Sequence, residues 1–224
     1  MLNVDNLSCS RGPRQLFAGL SFTAAPGEWI RVVGPNGSGK TTLLRALAGL
    51  TRPEAGRIDW TGDKPLAESR AYVGHAPGWK DTLTVTENLR LAWSLDGAKA
   101  DDGAGDGAGN VAADGAGGGP GNKTGGEARA LAHALAKAGL ERQRNLSLAR
   151  LSQGQKKRLH LARLARSTRP LWLLDEPTAA LDDAGARLFS ELVSDHLAGG
   201  GIAVIATHLP LGITAKSFEL AIVA

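Results

Sequence analysis

The chain has 224 residues, 42% hydrophobic and 21% charged, with a net charge of +4; this is the composition of one cored domain and excludes two full-sized ones. The single cysteine, Cys9, excludes an internal disulfide and any cysteine-built metal centre. The opening "MLNVDNLSCS" lacks the basic start and apolar run of a secretion signal, and no apolar run reaches the ~18 residues that span a bilayer, so a role at a membrane is expected to run through a partner.

In chain order, "LSFTA" reads as a short alternating strand, Pro26-Gly27 as a turn and Trp29 to Val33 as an apolar strand. A glycine loop follows and opens a helix, with Leu43, Leu44, Leu47 and Leu50 expected on one face. "GRIDW" and "AYVGH" predict two further short strands. "LTVTENLRLAWSL" places Thr84 and Glu87 at capping-box spacing and predicts a helix. Asp96 to Gly126 then hold 12 of the 30 glycines, five Asp and two Lys, with almost nothing to bury, which predicts a flexible low-complexity insert over 96–126. "EARALAHALAKAGL" predicts a helix stopped by Gly139.

From Leu151 the pattern becomes regular: a capped helix over 152–166, the apolar strand "LWLLD" over 171–175, an amphipathic helix over 183–198, a glycine stop at 199–201 and the strand "IAVIAT" over 202–207. Buried apolar strands alternating with helices predict an α/β fold with a mainly parallel sheet. The region 84–150, helical and without clear strands, is expected as a helical subdomain inside a single domain spanning 1–224.

The chemistry concentrates in four short stretches. "GPNGSGKT", residues Gly34, Pro35, Asn36, Gly37, Ser38, Gly39, Lys40 and Thr41, matches a P-loop set between a strand and a helix. Its glycines let backbone N–H groups turn inward on phosphate oxygens, Lys40 reaches the β- and γ-phosphates, and Thr41 offers a hydroxyl to Mg²⁺. Thr42 is counted with them as an ATP contact. Asp175 and Glu176 end an apolar strand, where ligands of parallel sheets collect; Asp175 is expected to hold Mg²⁺ and Glu176 to polarise the attacking water as a general base. His208 ends the next strand, in "ATH", and is expected at the γ-phosphate. In "LSQGQ", Ser152 and Gln155 form a second capping box, whose exposed N–H groups would welcome a further anion. The basic run Lys156, Lys157, Arg158 reads as the solvated face of that helix.

P-loop, "LSQGQ", "LLDE", "ALD" and "TH" in this order resemble the ABC ATPase family over essentially the whole chain apart from the insert. The resemblance implies the ABC core with N-terminal antiparallel strands beside the parallel sheet, and ATP with Mg²⁺ as ligands. It also implies a second copy of the chain as partner: Ser152, Gly154 and Gln155 would cap the ATP seated on the P-loop of the opposite subunit, and Asp182 of Ala180-Leu181-Asp182 would couple the two sites across the interface. Three positions depart from the family pattern. Arg11 stands where an aromatic residue usually stacks on adenine, and a guanidinium can stack on a base too. Ala76 stands where a glutamine usually links Mg²⁺ and water to the membrane partner, with His75 beside it, and Gln153 replaces a signature glycine.

"LFAGLSF", "GEWIRVVGPNGSGKTTLLRALAGLTRPEAGRIDW", "LSQGQKKRLHLARL" and "THLPL" are similar to one branch of the family, the ATP-binding subunits of cytochrome c maturation, the CcmA-type haem exporter components. That resemblance implies a multi-spanning membrane subunit as partner, a peripheral position at the cytoplasmic face of the bacterial inner membrane, and contact with haem only indirectly; no nucleic acid is expected. The same residues also fit another ABC transport motor, or a nucleotide-gated regulator that hydrolyses little.

Overall fold

A computed structural model describes residues 1–74, 78–96, 123–208, 211–213 and 216–219. The strands are β1 Leu2–Arg11, β2 Arg14–Ala24, β3 Trp29–Val33, β4 Ala55–Trp60, β5 Arg70–Val73, β6 Leu171–Asp175, β7 Ile202–Ala206 and β8 Lys216–Glu219. The α-helices are α1 Lys40–Leu47, α2 Leu66–Ser69, α3 Val85–Leu95, α4 Lys123–Lys137, α5 Gln153–Leu164 and α6 Asp183–Ala198. Among the described residues two sheets form: an antiparallel one in the order β2-β1-β4 and a parallel one in the order β5-β6-β7-β3-β8.

The central strands β6 and β7 are buried on both faces, and the alternation along the parallel strands assigns each residue to a side. Ile30 and Val32, Leu171 and Leu173, and Ile202, Val204 and Ala206 point into a core shared with α1 and the antiparallel sheet. The residues between them, Trp172, Leu174, Ala203 and Ile205, with Trp29, meet Phe189 and Val193 of α6 on the other side. Full burial of each large aliphatic side chain contributes about 1.5–3 kcal/mol, so the strands that lead to the acidic pair and His208 are anchored by fully buried side chains.

A third core belongs to the helices: Val85, Leu89 and Trp93 of α3 against Leu131 and Leu135 of α4, with Leu148 and Leu159. Helix α5 joins the cores, since Leu159 and Ala162 face this cluster while Leu161 and Leu164 face the parallel sheet. Both expected capping boxes form, at Thr84 on α3 and Ser152 on α5. Helix α4 stops at a left-handed Gly139 (φ 66°), with Leu140 N–H donating back to the Leu135 carbonyl at 2.7 Å.

Two expectations are corrected. Helix α1 ends at Leu47, and Leu50 lies beyond a left-handed Gly49, 53% exposed, instead of on the buried face. The glycine-rich stretch is structured at both ends: Asp96 is buried and accepts two hydrogen bonds from Arg163 at 2.7 and 2.8 Å, and α4 begins at Lys123. Residues 97–122 lie outside the described residues, as do His75 and Ala76. Among the described residues no helix is long and apolar enough to cross a membrane.

Candidate active site

The phosphate loop is built by conformation before chemistry. Gly39, which caps α1, has φ 102°, and a Cβ there would stand 3.1 Å from both Leu16 Cβ and Phe17 Cδ1. Only glycine fits this position, and it lets the loop turn so that α1 begins with no acidic residue in its first turn and its N–H groups uncovered. Lys40 is buried, and its ammonium donates to the carbonyls of Gly34 at 2.7 Å and Pro35 at 3.0 Å, so the charge is folded back over the loop. The hydroxyl of Ser38 is buried without a hydrogen-bond partner, which is an unmet polar group inside the loop itself.

Strand β6 brings the acidic pair to this loop. Thr41 Oγ1 donates to Asp175 Oδ2 at 2.7 Å, and Asp175 is buried. Glu176 follows in a left-handed conformation, φ 48°, a state that costs a non-glycine residue about 1 kcal/mol or more and is met mainly at functional turns. Its backbone is held on both sides: its N–H donates to the Ala206 carbonyl at 2.9 Å, and Lys157 Nζ donates to its carbonyl at 3.3 Å. Glu176 Oε1 lies 3.4 Å from His208 Nε2. The His208 carbonyl in turn accepts from Arg31 Nη2 at 2.7 Å, and Arg31 Nε donates to the Thr207 carbonyl at 3.3 Å.

P-loop and acidic pair line one cleft of about 720 Å³ together with Arg11. Arg11 stands at its rim, where β1 turns into β2 through Gly12 and Pro13. Asn36, Gly37, Gly39, Lys40, Thr41 and Thr42 all face this cleft. Among the described residues, Ser152, Gly154 and Gln155 do not line it. The second capped helix start, with Ser152 exposed at the N-cap of α5, therefore lies away from the first.

The basic run after the signature corrects the sequence reading. Lys156 pairs with Asp81 at 3.0 Å, Arg158 pairs with Asp182, and Lys157 is half-buried against Glu176. Burial pulls the Lys157 ammonium below its ordinary pKa, while Asp175 and then Glu176 push it back up. Periodicity held the signal: Lys157 stands four residues before the buried Leu161, on the inward face of α5. Asp182 caps α6 by accepting from Gly185 N–H at 3.0 Å; that amide, and then Arg158, hold its carboxyl below the usual range. Gly154 packs near the Ala180 carbonyl, where a Cβ would come within 3.1 Å. Arg31, the one charge in the apolar strand β3, is a further residue that the sequence reading passed over.

The family model for the ABC transporter matches residues 17–179. The "Cytochrome c biogenesis ATP-binding export protein CcmA" of Rhodopseudomonas palustris (strain HaA2) is 42% identical, covering 98% of this chain and 97% of its own. The protein of that name from Cupriavidus pinatubonensis is 42% identical over 93% of this chain and 83% of its own. Among solved structures, an ATP-binding subunit of an ABC transporter superposes with a TM-score of 0.72 at 25% identity, over 93% of this chain and 80% of that one. A Pyrococcus furiosus protein described as an ABC transporter ATP-binding protein shares the fold, with a TM-score of 0.75 at 21% identity, over 98% of this chain and 96% of that one. The chain belongs to the ABC transporter family of ATP-binding ATPase domains, and within it to the CcmA-type proteins.

Proposed function

We propose that this chain is the ATP-hydrolysing subunit of a haem exporter in cytochrome c assembly, working as two copies against a multi-spanning membrane subunit at the cytoplasmic face of the inner membrane. The observation that carries the two-copy reading is the separation of the two phosphate-seeking helix starts: the α1 start faces the cleft and the α5 start does not. Each ATP would sit on the Lys40 loop of one copy and be closed over by Ser152, Gly154 and Gln155 of the other. The CcmA names of the relatives support the haem and cytochrome c assignment.

In this reading Arg11 stacks on the base, and the P-loop backbone with Lys40, Thr41 and Thr42 holds the triphosphate. A hydroxyl and a carboxylate, Thr41 and Asp175, converge at 2.7 Å, which is the hard-oxygen donor chemistry Mg²⁺ takes; when bound, the ion would neutralise charge developing on the β- and γ-phosphates. Glu176 accepts a proton from the attacking water as oxygen adds to the γ-phosphorus and ADP leaves, and His208 contacts the transferred phosphate. Closing two copies face to face excludes water from the phosphates, and loss of the γ-phosphate removes what bridges them. Asp182, anchored on α6 and Arg158, couples the two sites, and the membrane subunit takes up the opening motion as work.

Magnesium-dependent ATP turnover by the chain with its membrane subunit tests the reading. Glu176→Gln is expected to lower the rate by about 100-fold or more, and cells lacking the chain are expected to lose c-type cytochromes. Wild type as inert as Glu176→Gln would favour a nucleotide-gated regulator; retained c-type cytochromes would favour another transport system.

A further inference from the structure

The Glu176 carboxylate can work as a base only if its backbone holds it toward the phosphate loop, and that backbone is unusual. Its φ is 48°, a conformation that relaxes unless the surroundings hold it. Besides the local turn bond from the Ala179 N–H to the Glu176 carbonyl at 3.3 Å, two longer-range hydrogen bonds do so. One comes from the neighbouring strand, Glu176 N–H to the Ala206 carbonyl at 2.9 Å, and is fixed by the sheet. The other comes from the signature helix, Lys157 Nζ to the Glu176 carbonyl at 3.3 Å.

Helix α5 contacts the same loop twice more. Gly154 sits under the Ala180 carbonyl, and Arg158 pairs with Asp182. Ala180, like Glu176, is left-handed, φ 63°. The first turns of α5 are thus fastened along residues 176–182, which begin with the catalytic carboxylate and end at the interface aspartate. Of the three contacts only Lys157 reaches Glu176 itself. It is half-buried, so its ammonium works where water competes poorly for the bond.

We propose that Lys157 is a positioning residue for hydrolysis: carried by the helix whose start meets the ATP of the other copy, it holds the Glu176 carbonyl and makes the base in its own site answer to occupancy of the neighbouring one. The inference rests on the two-copy reading above. The helix start and the lysine belong to one rigid element, Ser152 capping α5 and Lys157 standing little more than one turn further on. A shift of α5 on engaging the partner's triphosphate therefore moves the Lys157 donor directly. A misplacement of about 1 Å at a reacting group is enough to cost up to 100-fold in rate.

The test compares Lys157→Met, which keeps the apolar stem and loses the donor, with Lys157→Arg, which keeps a donor, in the full chain with its membrane subunit. Steady-state ATPase kinetics, binding of a fluorescent ATP analogue and thermal melting are measured together. Lys157→Met is expected to lower kcat by about tenfold with KM within about twofold. Analogue affinity and melting temperature should stay near wild type, the cooperativity of ATP dependence should be lost, and Lys157→Arg should recover most of the rate. Unchanged kcat in Lys157→Met overturns the proposal. So does a fall in rate matched by falls in melting temperature and analogue affinity, the mark of a packing role, or an Arg variant no better than Met. A wild type without ATPase activity would instead refute the hydrolytic reading on which the proposal rests.

Discussion

Thr41 and Asp175 meet across 134 positions of chain, the threonine hydroxyl donating to Oδ2 at 2.7 Å. The bond ties the first turn of α1 to the end of β6, and Asp175 is only 3% exposed. Folding draws on the same two oxygens that the proposed function assigns to Mg²⁺, and conservative changes separate the two uses. Asp175→Asn keeps an acceptor for Thr41 and removes the charge: stability should change by less than about 1 kcal/mol while magnesium-dependent turnover falls by about 100-fold. Thr41→Val leaves the carboxylate buried without this donor and should cost about 1–3 kcal/mol in urea unfolding.

Asp96 and Arg163 form a second long-range pair, two parallel bonds at 2.7 and 2.8 Å between the end of α3 and the last turn of α5. Asp96 is 7% exposed and Arg163 half-buried. Asp96→Ala leaves a largely desolvated guanidinium unpaired and is expected to destabilise the chain by about 3 kcal/mol. The same substitution in an Arg163→Met background should cost far less, and equal costs in the two backgrounds would refute the coupling.

His160 accepts a hydrogen bond from Trp79 Nε1 at 3.1 Å, and burial, with Lys157 and Arg163 nearby, pushes its pKa down from 6.5 to about 3. A folded-state pKa below the unfolded value means that the unfolded chain binds the extra proton. The stability from neutral His160 is complete above pH 6.5 and is lost as pH falls toward 3. Burial lowers His196 as well, with the same sign. His160→Gln, which can still accept from Trp79, should flatten the acid limb of an equilibrium-unfolding profile, whose slope from one such group is at most about 1.4 kcal/mol per pH unit. A limb of unchanged slope in His160→Gln would exclude His160 as its source.

Much of this was legible in the sequence where one local rule decides. Leu171–Asp175 and Asp183–Ala198 form as the strand and helix expected, and Thr84 and Ser152 cap as their spacing required. Pattern failed where the backbone departs from its period. Strand β1 shifts register between Val4 and Leu7 and again before Cys9, and Asn6 has φ 51°, so "NVDNLSCS" shows no clean alternation to read. Asp96 reads as the start of a featureless stretch, because its partner Arg163 stands 67 positions away. Lys157 reads as solvated, because charge alone does not say which face of a helix a lysine occupies. Glu176 and His208 were readable as types at strand ends, but the left-handed turn and the Arg31 bonds that aim them are tertiary facts.

The core packing around the site gives a control. Phe189 of α6 is fully buried against the face of the parallel sheet away from the phosphate loop. Phe189→Ala should cost about 3–5 kcal/mol and lower the melting temperature while leaving KM for ATP near wild type at temperatures where the fold persists. A large rise in KM with stability intact would mean that the sheet transmits strain to the cleft.

The proposed assembly requires one ATP shared by two copies, seated on Lys40 of one and met by Ser152 of the other. Sedimentation of Glu176→Gln protein with its membrane subunit, at saturating ATP and magnesium, reads this directly. Two copies of the 23.2 kDa chain are expected to associate only when ATP is present, and to lose that association when Ser152→Arg is added. Chains that stay apart under these conditions, or that pair equally well without nucleotide, would contradict it.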